Sequence, residues 1–308
     1  MKTTTTDGGV APVTVVDIVP KGEFSLAAAA SFGFGQRNAT PGDVMRLAFV
    51  VDGLREHAGV LLTQLPDGAV TAEIQTNAPI PAVRRQVERI LSLDHDGDEW
   101  AALGVRDPVL GGLQRQCPGQ RPVLFHNAYE SCAWCVLSAR WSRPQAAAVR
   151  RRISEELGPT YELGGESLPA FPTPERLLEL GPMKGLADEK VTRLQGVAQA
   201  ALEGRLDTDR LRALPFEEAA AEIQKLRGMG PFYTGLVVNR ALGHADALPS
   251  REPRIRTYAA HYYGLEGPLS PEGLSELAEG WRPFRTWAVV LLRIAGDRAQ
   301  LPWDGPRL

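Results

Sequence analysis

A carboxylate at the mouth of a helix is the residue of this chain best placed to do chemistry. Glu252 directly precedes Pro253, at the end of the run Asp246-Ala247-Leu248-Pro249-Ser250-Arg251-Glu252. Proline suits the first helical turn, where its missing N–H would have had no partner. The residue before it is biased to an extended backbone, so Glu252 projects its side chain away from the helix that follows. A helix N-terminus also favours the ionised carboxylate. Upstream, Arg227-Gly228-Met229-Gly230-Pro231 joins a helical run at 217–226 to a second at 232–242. The two glycines permit positive φ and let the backbone approach a partner closely. Pro231 opens the second helix with free amides pointing outward, an arrangement that binds anions such as phosphate. An acid, and a grip for a phosphate, therefore lie close together in the chain.

Other clusters have weaker chemistry. Cys132 and Cys135 form a CxxC inside a helical pattern with no second pair, which fits packing better than zinc. The five histidines show no ligand spacing, and Asp94-His95-Asp96-Gly97-Asp98 lacks the later glutamate of a calcium loop and reads as a solvated turn. Arg140, Arg143, Arg150, Arg151 and Arg152 form one basic stretch, and Arg251, Arg254 and Arg256 another. Taken alone, the first is a solvated arginine-rich helix. The net charge of −3 gives no general attraction to nucleic acid, so a polyanion would have to be held by such local patches. No run of 18 apolar residues suggests a membrane span. Three cysteines in 308 residues fit a reducing cytoplasm.

The elements that must position these groups fall into two kinds. Residues 13–19, 46–52, 58–65 and 69–76 read as strands, with Pro66-Asp67-Gly68 as the turn between the last two. Val70, Ala72 and Ile74 alternate with Thr71, Glu73 and Gln75, the period of a half-buried strand. Helices are expected at 24–32 and 81–93. From residue 94 onward apolar residues recur at three-to-four spacing, with helices at 99–104, 107–117, 128–140, 144–158, 173–180, 188–203 and 217–226. Gly158, Gly204, Gly243, Gly264 and Gly296 fall where helix C-caps belong. Residues 159–172, rich in Gly and Pro, read as a loop or linker. The fold class is α+β: a disordered tail at 1–12, an antiparallel sheet domain at 13–94, and an all-helical region at 95–308 with its hairpin at 217–242.

The hairpin, with Arg240-Ala241-Leu242-Gly243 and Asp246-Ala247-Leu248-Pro249-x-x-Glu252 after it, resembles the helix-hairpin-helix glycosylase superfamily. Within it the chain is most similar to the AlkA-type DNA-3-methyladenine glycosylase II enzymes. Trp281-Arg282-Pro283-Phe284-Arg285, Ala170-Phe171-Pro172-Thr173-Pro174-Glu175 and Arg106-Asp107-Pro108-Val109-Leu110 match further family segments, so the likeness spans residues 85–295 in the family's order.

The resemblance implies an enzyme of base excision repair that flips a damaged base from double-stranded DNA and cleaves its N-glycosidic bond. Glu252 stands where the family has aspartate, as the carboxylate that stabilises positive charge on the sugar. Asp246 is the runner-up carboxylate, with a family counterpart that is structural. Phe232 occupies the position where bifunctional relatives carry a Schiff-base lysine, which implies a water-using enzyme without lyase activity. The base pocket is expected from Phe232, Tyr233, Trp141 and Trp287, with Trp134 a further aromatic. Arg293 replaces the family's pocket tryptophan, which points away from a cationic lesion and towards a neutral or oxidised base. DNA contacts are expected from Arg140, Arg227, Gly228, Gly230, Arg251 and Arg254, with Ala139-Arg140 at the family's wedge pair. No cofactor is required, neither Fe–S cluster nor zinc. The carbonyls of Gln224, Leu226 and Met229 align with those that bind a structural Na⁺ or K⁺. A monomer in the cytoplasm, associated with the nucleoid, is expected. The alternative is a non-catalytic protein that binds DNA damage on the same fold.

Overall fold

The structure, a computed structural model, describes residues 3–4, 12–31 and 44–303. Of the tail expected at 1–12, Thr3–Thr4 (β1) pairs with Val13 and Thr14, and residues 1–2 and 5–11 lie outside the described residues. The antiparallel sheet runs β1-β2-β5-β4-β3, with β2 at Val13–Ile18, β3 at Val44–Val50, β4 at His57–Gln64 and β5 at Val70–Thr76. These lie within two residues of the strands expected from alternation. The β4–β5 turn forms as its residues require: Asp67 Oδ1 accepts the Ala69 amide at 3.0 Å, and Gly68 takes φ +89°. Val70, Ala72 and Ile74 face the core, against Val83, Val87 and Ile90 of helix α2 (Ile80–Ile90) and Leu26 of α1 (Leu26–Ser31).

Next come α3 (Gly97–Arg106), α4 (Pro108–Gln116), α5 (Ala128–Ser138) and α6 (Arg143–Leu157). Asp96 accepts the amides of Asp98 and Glu99 and so caps α3, which explains the acidic run 94–98 without a metal. Helix α5 has no polar stripe: residues 128–137 are all buried, as an apolar-all-round helix must be. It is wrapped by α6, α8 (Asp188–Leu202) and α11 (Pro231–Arg240). Cys132 and Cys135 are buried within it, and burial pushes the Cys135 thiol up to about 12.

The remaining elements are β6 (Thr160–Leu163), β7 (Glu166–Pro169), α7 (Pro174–Leu178), α9 (Thr208–Arg212), α10 (Phe216–Gln224), α12 (Pro253–Tyr262), α13 (Pro271–Ala278), a 3₁₀ turn at Glu279–Trp281, and α14 (Arg285–Arg298). Two expectations are corrected. Residues 159–172 are a β-hairpin rather than a linker, because Gly164 and Gly165 supply the positive φ of a tight turn. That hairpin packs on the sheet, where Arg46 Nε donates to the Leu163 carbonyl at 2.7 Å. Gly296 lies inside α14 and is no C-cap; a Cβ there would come within 2.2 Å of the Tyr258 ring. Among the described residues no helix is long and apolar enough to cross a membrane.

Sheet and helices are joined at Glu130, in the first turn of α5. Its fully buried carboxylate accepts the Val50 amide at 2.9 Å and Arg150 Nη2 at 2.6 Å, and lies 2.9 Å from His126 Nδ1. Burial raises its pKa, but His126, Arg150 and the Val50 amide outweigh burial and bring it down to about 2. The stability this carboxylate lends is complete above its unfolded pKa, near 4.5, and is lost as pH falls through 4.5 towards 2. Glu130→Gln is expected to cost about 3 kcal/mol, since it removes the negative charge paired with the buried Arg150. The check is urea denaturation of both proteins at pH 7, and at pH 3, where the gap between them should narrow.

Candidate active site

The loop that carries Glu252 is pinned to the start of α14. Thr286 Oγ1 lies 2.7 and 2.8 Å from the carbonyl oxygens of His244 and Ala247 and accepts the Ala247 amide at 3.0 Å. Asp246 receives Arg285 Nε at 2.8 Å and Arg282 Nη1 at 2.5 Å, and its carbonyl receives Arg285 Nη2 at 2.6 Å. Both oxygens of Asp246 are thus taken, which makes it the structural carboxylate.

Glu252 has a different fate. It is the N-cap of α12, half-buried, and one oxygen accepts the Ile255 amide at 2.9 Å. That bond fixes the side chain at the start of the helix. Among the described residues no hydrogen bond or ion pair reaches its other oxygen. One oxygen is thus anchored and the other open, at the start of α12.

The hairpin stands as its glycines demand. Gly228 takes φ +95°, and Gly230 is the N-cap of α11, with Pro231 at its first position. The Leu226 carbonyl accepts the Met229 amide at 3.1 Å. Among the described residues no backbone N–H donates to the carbonyls of Gln224 or Met229. That leaves one carbonyl at the end of α10 and one in the hairpin without a backbone donor.

The expected pocket and DNA residues divide. Phe232 is 60% exposed at the hairpin tip, with its ring edge-to-face on Tyr233 at 5.4 Å. Tyr233 is half-buried, and burial raises its pKa. Trp287 is corrected: it is 2% exposed among Trp100, Phe284 and His95, so no ring face is free for a base. Trp134 is likewise core. Trp141 is half-buried, and Lys190 Nζ stands 3.5 Å over its ring. Arg140, Arg227 and Arg251 are exposed; Arg227 has Glu189 at 4.0 Å, and the other two make no ion pair among the described residues. Arg254 is the second correction. It is 8% exposed, 3.4 Å from Asp297 and stacked over Trp303, so it holds the fold rather than a phosphate. Arg150, in the stretch read as a solvated helix, is buried on Glu130.

Sequence reasoning missed the group that organises this wall. Asp297 accepts Arg293 Nε at 3.0 Å and the Tyr258 hydroxyl at 2.9 Å, besides Arg254. Its spacing of four from Arg293 on α14 was the available signal. Arg143 lies near enough for Arg293 and Arg254 to depress its pKa further, after burial. Arg254 and Arg293 thus share one acid beside the helix that Glu252 opens.

No protein-family model matches the sequence. The chain is 24% identical over 213 residues to the DNA-3-methyladenine glycosylase of Bacillus subtilis, across 68% of this chain and 70% of that protein. It is 28% identical over 205 residues to the "Probable bifunctional transcriptional activator/DNA repair enzyme AlkA" of Mycobacterium tuberculosis. That match takes 65% of this chain but 40% of the relative, so the chain spans less than half of that protein's length. The structure of the 3-methyladenine DNA-glycosylase from Archaeoglobus fulgidus superposes with a TM-score of 0.75 at 22% identity, over 93% of this chain and all of that one. The chain has the fold of that glycosylase structure, and its sequence is similar to DNA-3-methyladenine glycosylases of the AlkA type.

The two carboxylates of the loop should separate in experiment. Asp246→Ala leaves Arg282 and Arg285 with Glu279 as their one shared acid and is expected to cost about 2 kcal/mol of stability. Glu252→Gln keeps an oxygen for the Ile255 amide and is expected to change stability by no more than about 0.5 kcal/mol. Urea midpoints of the two variants check this.

Proposed function

We propose that the protein is a monofunctional DNA glycosylase that hydrolyses the N-glycosidic bond of alkylated or otherwise damaged bases in double-stranded DNA. The observation that carries this reading is Glu252: one oxygen anchored on the Ile255 amide and the other open. The open oxygen faces the C1′ of a flipped nucleotide and stabilises the positive charge that grows as the base departs. Water, oriented by the same oxygen, adds to C1′; the base leaves with the electrons of the C1′–N bond, and Glu252 takes up the water's proton. The product is an abasic site. Phe232 has no amine to form a Schiff base, so the strand is left intact.

Binding follows from the exposed elements. The hairpin amides at Gly228 and Gly230 hold a phosphate, with Arg227 and Arg251 on either side. Arg140, at the turn after α5, fills the gap left by the flipped nucleotide, and Phe232 grips the base by its exposed face. A sodium or potassium ion at the carbonyls of Gln224, Leu226 and Met229 would stiffen the hairpin and add positive charge near that phosphate. The protein acts as a monomer on chromosomal DNA in the cytoplasm.

Incubating the protein with methylated, deaminated and oxidised duplexes and measuring free base tests the reading. Glu252→Gln should lower single-turnover release by about 10²-fold or more while duplex affinity holds. Tight binding to a damaged duplex without an abasic product would make the protein a non-catalytic damage binder. Borohydride should trap no covalent complex. Arg140→Ala and Arg251→Ala should each flatten the salt dependence of duplex binding by about one phosphate contact, and Arg254→Ala should lower stability without doing so.

A further inference from the structure

Helix α8 carries a side chain on which the duplex-facing geometry turns, and its role rests on the glycosylase reading above. Arg140 is exposed, has φ +61°, and sits at the tip of the turn that ends α5. A left-handed conformation at a residue with a Cβ costs energy and persists only where its surroundings enforce it. The enforcing contact is Lys190. Its Nζ donates to the carbonyls of Leu137 and Ala139, at 2.5 and 3.0 Å, and stands 3.5 Å over the Trp141 ring. The last carbonyls of a helix lack intrahelical partners and carry the negative end of its dipole, so a lysine there both satisfies and neutralises them. Three residues of the turn, on both sides of Arg140, are thus held by one ammonium. Burial and the nearby Arg193 bring the Lys190 pKa down to about 8, so the charge is kept there against an electrostatic cost.

The same helix also touches the hairpin. Arg193 Nη1 would lie 3.1 Å from a Cβ on Gly228, and Arg193 Nη2 donates to Glu189 at 2.6 Å, which in turn lies 4.0 Å from Arg227. The helix after the hairpin, α11, also packs against α5. Wedge turn and hairpin are therefore cross-braced through one face of α8.

The geometry points to Lys190 as a positioning residue: it holds the 138–141 turn so that Arg140 enters the duplex at a fixed distance from the phosphate grip. Removing it should impair base extrusion and not duplex binding. A rigid arginine displaces a base; a floppy one only contacts phosphate.

The test compares Lys190→Met, Lys190→Arg and Arg140→Ala on a duplex with 2-aminopurine beside the lesion, whose fluorescence reports extrusion. Lys190→Met is expected to bind the duplex within threefold of wild type, with the same salt slope, but to lose tenfold or more in extrusion. Lys190→Arg, which keeps the donors and the cation over Trp141, should recover most of it. Lys190→Met with Arg140→Ala should be no worse than Arg140→Ala alone, since both act through one turn. Wild-type extrusion in Lys190→Met, or additive losses in the double variant, would overturn the proposal, as would a wild-type protein that binds but extrudes nothing. Should Lys190→Met fail to fold, Lys190→Gln, with a neutral amide in place of the ammonium, is read against the same criteria. Extrusion that depends on Lys190 without any free base would sink the glycosylase reading and leave the brace standing.

Discussion

A buried carboxylate sets the geometry of the molecule. Glu130 has no water to solvate it, and an unpaired charge in that place would be prohibitive. It is tolerable because a sheet amide (Val50), an arginine from α6 (Arg150) and a histidine before α5 (His126) converge on it. The neighbouring Asn127 and Gln86 side chains donate to the Val50 carbonyl, so the end of β3 is bound at both of its polar atoms. The start of α5 is therefore locked to the sheet. The other end of the same helix delivers the turn that bears Arg140. Rigidity built in the core is carried along a fully buried helix to the surface where DNA would sit.

The active-site loop obeys a related constraint. Its two carboxylates have opposite surroundings, and this divides their roles. Asp246 meets Arg282 and Arg285, so its charge is spent on holding the loop to α14. Glu252 meets a single amide and keeps an oxygen in hand. The longer glutamate side chain can still curl back to cap α12, so the change from the family's aspartate keeps the anchor and shifts where the open oxygen lies. Beside it, Arg254 and Arg293 are both paired with Asp297, which ties α12 to α14.

Much of this was legible locally. The turn at Pro66-Asp67-Gly68, the alternation of β5 and the hairpin at Gly228 to Pro231 follow from φ preferences and side-chain period alone. The helix start at Pro253 was legible for the same reason, but the Glu252 side chain, expected to project away from that helix, turns back to cap it on the Ile255 amide. The linker expected at 159–172 failed because its glycines served a hairpin, and glycine marks a turn without saying what flanks it. Gly296 failed for a different reason. Its smallness answers to the Tyr258 ring on another helix, not to the end of its own.

The charged and aromatic residues show the same division. From the chain alone, Arg254 and Arg251 are equivalent basic residues of one loop, and Trp287 and Phe232 are equivalent aromatics. Packing separates them: Arg254 turns inward to Asp297 and Trp287 into a ring cluster, while Arg251 and Phe232 stay in solvent. Sequence determined the fold class, the hairpin, and the carboxylate at a helix mouth, because each is written in residues a few positions apart. Tertiary structure alone decided which arginines and rings are free to meet DNA, because that depends on partners brought from distant parts of the chain.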